Sequence, residues 1–125
     1  MKVRSRLSLI AIGVLFPAFS TTAATTNFTV RSVMTGQSSV SNDQVWVRAD
    51  ATATGIPSDC YYGGLAYFYV NDSGNIDKMK ALSLLVTAQA TKTQITIDYG
   101  VISSSATFWG FGITKCVIER IGLGL

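Results

Sequence analysis

Between residues 77 and 100 the chain changes its hydrophobic period. From 77 to about 91 the residues are good helix formers, and Lys80, Ser83, Thr87 and Thr91 recur at spacings of three and four to make one narrow polar stripe. Met79, Ala81, Leu82, Leu85, Val86, Ala88 and Ala90 fill most of the remaining circumference. A helix lying against a lone domain needs an apolar arc of a little over about 100°. The arc here is wider, which predicts either a helix cradled deeply in the core or one whose far side meets a neighbouring subunit. Ser73, Asn75 or Asp77 can cap its start, because short polar side chains accept the free N–H groups of a first turn. Lys92-Thr93 breaks the pattern, and Ile95, Ile97 and Tyr99 then alternate with Thr96 and Asp98, the two-residue period of a strand.

The rest of the chain reads as short strands. Residues 28–34 predict a first strand, and the polar stretch "GQSSVSND" at 36–43 a hairpin connection. Residues 44–51 predict a second, with Val45, Val47, Ala49 and Ala51 on a buried face and Trp46, Arg48 and Asp50 on a polar one. "TGIPSD" at 54–59 is a loop by composition, and "LAYFYV", Leu65–Val70, is a third strand rich in aromatics. After the helix comes a strand at 94–100, then "SSSATFWGFG" at 103–112 as a flexible loop tipped with aromatics, then a last strand at 113–121. The order is β-β-β-α-β-β, mainly β with one helix. It predicts an OB-fold, a five-stranded Greek-key barrel whose helix plugs one end. A ferredoxin-like fold would need a second helix, and none is available.

The first residues stand apart from this domain. Lys2, Arg4 and Arg6 precede an apolar run at 7–19 that ends in Thr21-Thr22-Ala23-Ala24, the layout of a secretory signal peptide. The division expected is therefore a signal peptide at 1–24 and a single domain at 25–125, exported to the periplasm or secreted, with no membrane span. Processing also changes the charge. Of the ten Lys and Arg residues, three lie in the leader, so the remainder balance the seven acids, and the basic pI of about 9.0 belongs to the precursor. No basic patch remains to argue for nucleic acid. Cys60 and Cys116 are the two cysteines. In an oxidising compartment they predict a disulfide that pins the approach to the third strand against the fifth, with a metal or redox role as the alternative.

The residues "KMKALSLLVTAQATKTQITIDYG" and "GITKCVIERIGL" resemble a group of small exported bacterial proteins. In these an apolar helix of similar "ALLLTAQAS" pattern runs into a strand, and a cysteine near the C-terminus opens a short C-x-I strand. They look similar to the B subunits of subtilase cytotoxin and the pertussis-like toxins. The resemblance covers roughly residues 59–123. It implies an OB-fold, a homo-oligomeric ring of five, sialylated glycans as ligands and a toxin A subunit as partner. The family's glycan-contacting serine near the first strand is not placed on any residue of this chain, and no binding residue is carried over.

The residues themselves point away from catalysis. The chain has no histidine, which removes Ser-His-Asp, Cys-His and most zinc chemistry. The acids are scattered singly, without the paired spacing a glycosidase needs. "GLGL" at 122–125 and "YGG" at 62–64 lack the strand-to-helix setting of a phosphate loop and read as ends and turns. No cofactor, metal or enzymatic activity is expected. Aromatic residues are the remaining candidates: Trp46 with Arg48 beside it, Tyr61 and Tyr62 after the cysteine, and Phe108, Trp109 and Phe111 in the Gly/Ser-rich loop. A ring can cover the C–H face of a sugar while polar neighbours take its hydroxyls. The same residues also suit subunit interfaces, and Trp46 the edge of the core. Two readings follow: a glycan-recognising or partner-carrying toxin-like B subunit, or a periplasmic structural or protein-interaction domain with neither activity.

Overall fold

The computed structural model describes residues 24–40, 43–50, 55–70 and 76–123. The leader up to residue 23 lies outside them, as do Ala51, Thr54, Ser73 and Asn75 from the readings above. The elements run β1 (Ala24–Gly36), β2 (Gln44–Ala49), a 3-10 turn (Ser58–Cys60), β3 (Tyr61–Tyr62), β4 (Leu65–Val70), α1 (Lys78–Thr91), β5 (Gln94–Phe108) and β6 (Gly112–Leu123).

Five strands close on themselves. β1 pairs with β2 and β5, β2 with β4, β4 with β6, and β6 with β5. Only β4 and β6 run parallel, at Tyr69↔Val117 and Val70↔Ile118. This is the OB-fold barrel, with its helix between the third and fourth barrel strands, as the order of elements predicts. β3 is an addition that periodicity does not reveal. It folds back on β4 through Gly63-Gly64, whose φ values of 62° and 88° a glycine adopts without steric cost.

The barrel interior follows the alternation. Val45, Val47 and Ala49 of β2 meet Phe28, Phe68, Ile95, Ile97, Tyr99 and Ile118 in one buried cluster, where Phe28 stacks on Phe68 at 5.3 Å. α1 adds Ala81, Leu85 and Ala88 to that cluster, so the helix closes the barrel with small residues on either side of one large one. Burying Leu85 alone contributes roughly 1.5–3 kcal/mol. Asp77 is the cap: its carboxylate accepts from the amides of Met79 and Lys80 at 3.0 and 3.1 Å. At the other end Lys92 is left-handed with φ 56°, and its amide donates to the carbonyls of Ala88 and Gln89. That single residue reverses the chain, which is how the helix passes into β5 so abruptly.

Three expectations are corrected. The helix is not cradled deeply: Met79 is 68% and Val86 49% exposed, because the end of a five-stranded barrel accepts only one helix face. The segment 103–112 is strand up to Phe108, and only the turn at 109–111 is loop. β5 continues to Phe108 and pairs with β6 at Ala106↔Thr114, Thr107↔Ile113 and Phe108↔Gly112. The serine run marks a bulge instead, since residues 102–105 face Lys115 alone between two paired stretches. The third correction concerns the outer face of β2 and belongs to the site below.

Cys60 and Cys116 are joined, both fully buried, with Cα atoms 5.4 Å apart. The bridge ties the turn before β3 to β6, as expected, and fits an oxidising compartment. At the start of β1, Thr25 donates to Asp98 at 2.6 Å while Arg120 holds the other carboxylate oxygen at 2.8 Å. The Thr25 hydroxyl first, and Arg120 after it, keep Asp98 below the usual carboxylate range. No helix among the described residues is long and apolar enough to cross a membrane.

Candidate functional site

The outer face of β2 is not open to solvent at Trp46. Trp46 has no exposed surface, although Arg48 beside it is only half-buried. The cause is the long β5–β6 hairpin, which folds over that face and brings Phe108 and Phe111 down onto the indole. Trp46 stacks on Tyr69 at 5.6 Å and 21°, and meets Phe108 edge-on at 5.6 Å and Phe111 at 6.4 Å. With Tyr67, Ala106 and Val117 these residues form a second hydrophobic cluster outside the barrel. Burial in it pushes the Tyr69 phenol above its ordinary pKa. Trp46, Phe108 and Phe111 are therefore core residues, and a ligand would not touch Trp46 in this arrangement.

Polar bonds fix this second core. The Trp46 indole N–H donates to the Gln44 side-chain oxygen at 2.7 Å, and the Ser38 hydroxyl donates to the same oxygen. Ser39 and Thr107 exchange bonds, amide to carbonyl and amide to hydroxyl, both at 2.8 Å, which fastens the β1–β2 connection to the hairpin. Arg48 donates to the Ser32 hydroxyl at 2.9 and 3.2 Å and to the Tyr67 hydroxyl at 3.3 Å. Its guanidinium carbon lies 4.9 Å from the Phe111 ring centre and 5.8 Å from that of Tyr67. Arg48 is thus a cationic brace between strand and hairpin, at an aromatic site where such contacts stabilise by roughly 0.5–2 kcal/mol.

Above this base lies a cleft of about 380 Å³ lined by Tyr62, Thr107, Phe108, Trp109, Gly110, Phe111, Gly112 and Ile113. Its walls are two of the most exposed aromatic side chains in the described chain: Trp109, 63% exposed at the hairpin tip, and Tyr62, 49% exposed on β3. Sequence reasoning named Tyr62, Phe108, Trp109 and Phe111 separately, and the fold brings them together. Tyr61 is also exposed but is not part of the lining. The turn itself depends on Gly110, at φ 81°, with the Phe111 amide bonded to the Phe108 carbonyl at 2.9 Å. Gly112 is needed for a different reason: a Cβ there would stand 2.4 Å from the Tyr67 ring. Tyr67 supports the cleft in turn, since it meets Phe111 at 5.3 Å and Tyr62 at 6.1 Å, both edge-on. The residues that sequence reasoning missed are Tyr67, Tyr69 and Gln44, hidden in strands that read only as barrel core.

No group of His, Cys, Asp and Glu suited to a metal occurs among the described residues. Comparison with protein-family models, with curated proteins and with solved structures returns no match.

Proposed function

We propose that the mature chain is an exported, non-enzymatic binding module that recognises glycans in the cleft between Tyr62 and Trp109. The observation that carries this reading is the pairing of two exposed rings over a rigid aromatic base. Both rings line the same cleft, where an exposed aromatic face can cover the apolar C–H face of a sugar, and the base beneath them is already packed. Location in the periplasm or outside the cell accords with the leader-like first residues and the disulfide. On an array of glycans the mature protein is expected to bind, and Trp109→Ala and Tyr62→Ala are each expected to weaken binding by about tenfold or more, or roughly 1.4 kcal/mol. Silence of the unmodified protein beside a working control would remove the reading.

The resemblance to toxin B subunits extends the proposal to a ring of copies, five in that family, that carries a partner subunit. The outward face of α1 supports self-association, since Met79, Val86 and Ala90 lie exposed opposite the buried Ala81, Leu85 and Ala88. Light scattering at tens of micromolar is expected to give a multiple of the chain mass, reduced by Val86→Lys. A clean monomer mass for the unmodified protein would count against the ring. The same helix face favours the second reading, a periplasmic structural or protein-interaction domain, if association is seen and the glycan array is silent.

A further inference from the structure

We infer that the cleft takes an uncharged pyranoside and gains nothing from the acidic sugars that the family resemblance would suggest. The inference rests on the glycan reading of this cleft and narrows its ligand class. Every lining residue is aromatic, aliphatic, glycine or threonine; no Lys, Arg, Asp or Glu is among them. Beyond residue 40 the residues outside the described set include no Lys or Arg.

Arg48 touches a lining residue, Phe111, and is committed elsewhere. It lies against the Phe111 ring and donates to Ser32 and Tyr67, outside the lining. Lys115 stands two residues beyond Ile113 on β6 and is also outside it. A carboxylate entering the cleft would lose water with no lining cation to replace it, a transfer that is unfavourable. The negative faces of the Tyr62 and Trp109 rings would repel it further, while the same faces attract the weakly positive C–H groups on one side of a neutral pyranose. Tyr62 and Thr107 supply hydroxyls and Trp109 an indole N–H for the ring's own hydroxyls. The cleft volume, about 380 Å³, lies near the small end of small-molecule sites, which matches a mono- or disaccharide.

The test is titration of the mature full domain, followed by NMR shifts of the Trp109 indole N–H, with lactose and with 3′-sialyllactose at roughly 0.05 and 0.5 M NaCl, salt levels that separate charge-driven from neutral binding. Lactose is expected to bind at least as tightly as 3′-sialyllactose, with no loss at high salt. Trp109→Phe should retain most of the affinity while Trp109→Ala loses about tenfold, as a stacking contact requires. Binding confined to the sialylated sugar, or abolished by salt, overturns the inference while leaving glycan recognition standing. Silence toward both sugars and across a broader neutral and acidic panel overturns glycan recognition itself.

Discussion

Trp46→Ala is expected to cost about 3–5 kcal/mol of folding stability, the range for truncating a fully buried large aromatic. The indole is wholly enclosed, stacked on Tyr69 and capped by Phe108 and Phe111. Its removal leaves a cavity on the outer face of β2, with the Gln44 amide nitrogen already lacking a partner among the described residues and its oxygen losing a donor. The barrel core does not contain Trp46, so the two clusters should respond differently. Urea denaturation of Trp46→Ala should show the full loss. Trp46→Phe, which keeps the stack but not the indole bond, should lose less than half as much. Fluorescence offers a check on the assignment, since the chain has two tryptophans. Removing buried Trp46 should leave the red-shifted emission of exposed Trp109. A stability change under 1 kcal/mol for Trp46→Ala would show that the hairpin does not cover β2 as described, and the cleft would lose its base.

Replacing both cysteines, Cys60→Ala with Cys116→Ala, is expected to lower stability by about 4 kcal/mol, within the usual range of roughly 2–5. The bridge spans 56 residues of chain, so opening it releases a long loop in the unfolded state. A domain of this size has some 5–15 kcal/mol in total, so the double variant should melt well below the parent. The loss should be felt first at the β3–β4 hairpin, because Cys60 ends the turn that leads into Tyr61 and Tyr62. Hydrogen exchange that shows faster opening at β3 and β4, with β1 unchanged, would support that account. A double variant as stable as the parent would show that strand pairing alone fixes the hairpin.

These two sites differ in how far the sequence reveals them. The disulfide was legible, because two cysteines allow one pairing. The order of elements was legible for a similar reason: a helix with a 3.6-residue period and strands with a two-residue period leave few five-stranded arrangements. Asp77 as one of three candidate caps, the break at Lys92, and the inward set Val45, Val47 and Ala49 are all consequences of nearest-neighbour chemistry. The reading failed where a side chain's fate depends on distant chain. Alternation on β2 puts Trp46 on the face away from the barrel, and local rules then assign that face to solvent. Serines and glycines at 103–112 weigh locally toward a loop. Both errors have one cause, since the hairpin forms as strand because Phe108 and Phe111 can bury themselves on Trp46, and Trp46 is buried because the hairpin forms.

By itself, then, the sequence determines a small domain with a barrel order of strands, one capped helix and one bridge, since those features follow from periodicity and from the chemistry of single residues. Only the tertiary structure decides that the hairpin lies down over β2, that five aromatic side chains become a second core, and that Tyr62 and Trp109, 47 positions apart, come to line one cleft. Which groups share a surface is set by closure of the sheet and by the register of β5 on β6, and no local pattern encodes either.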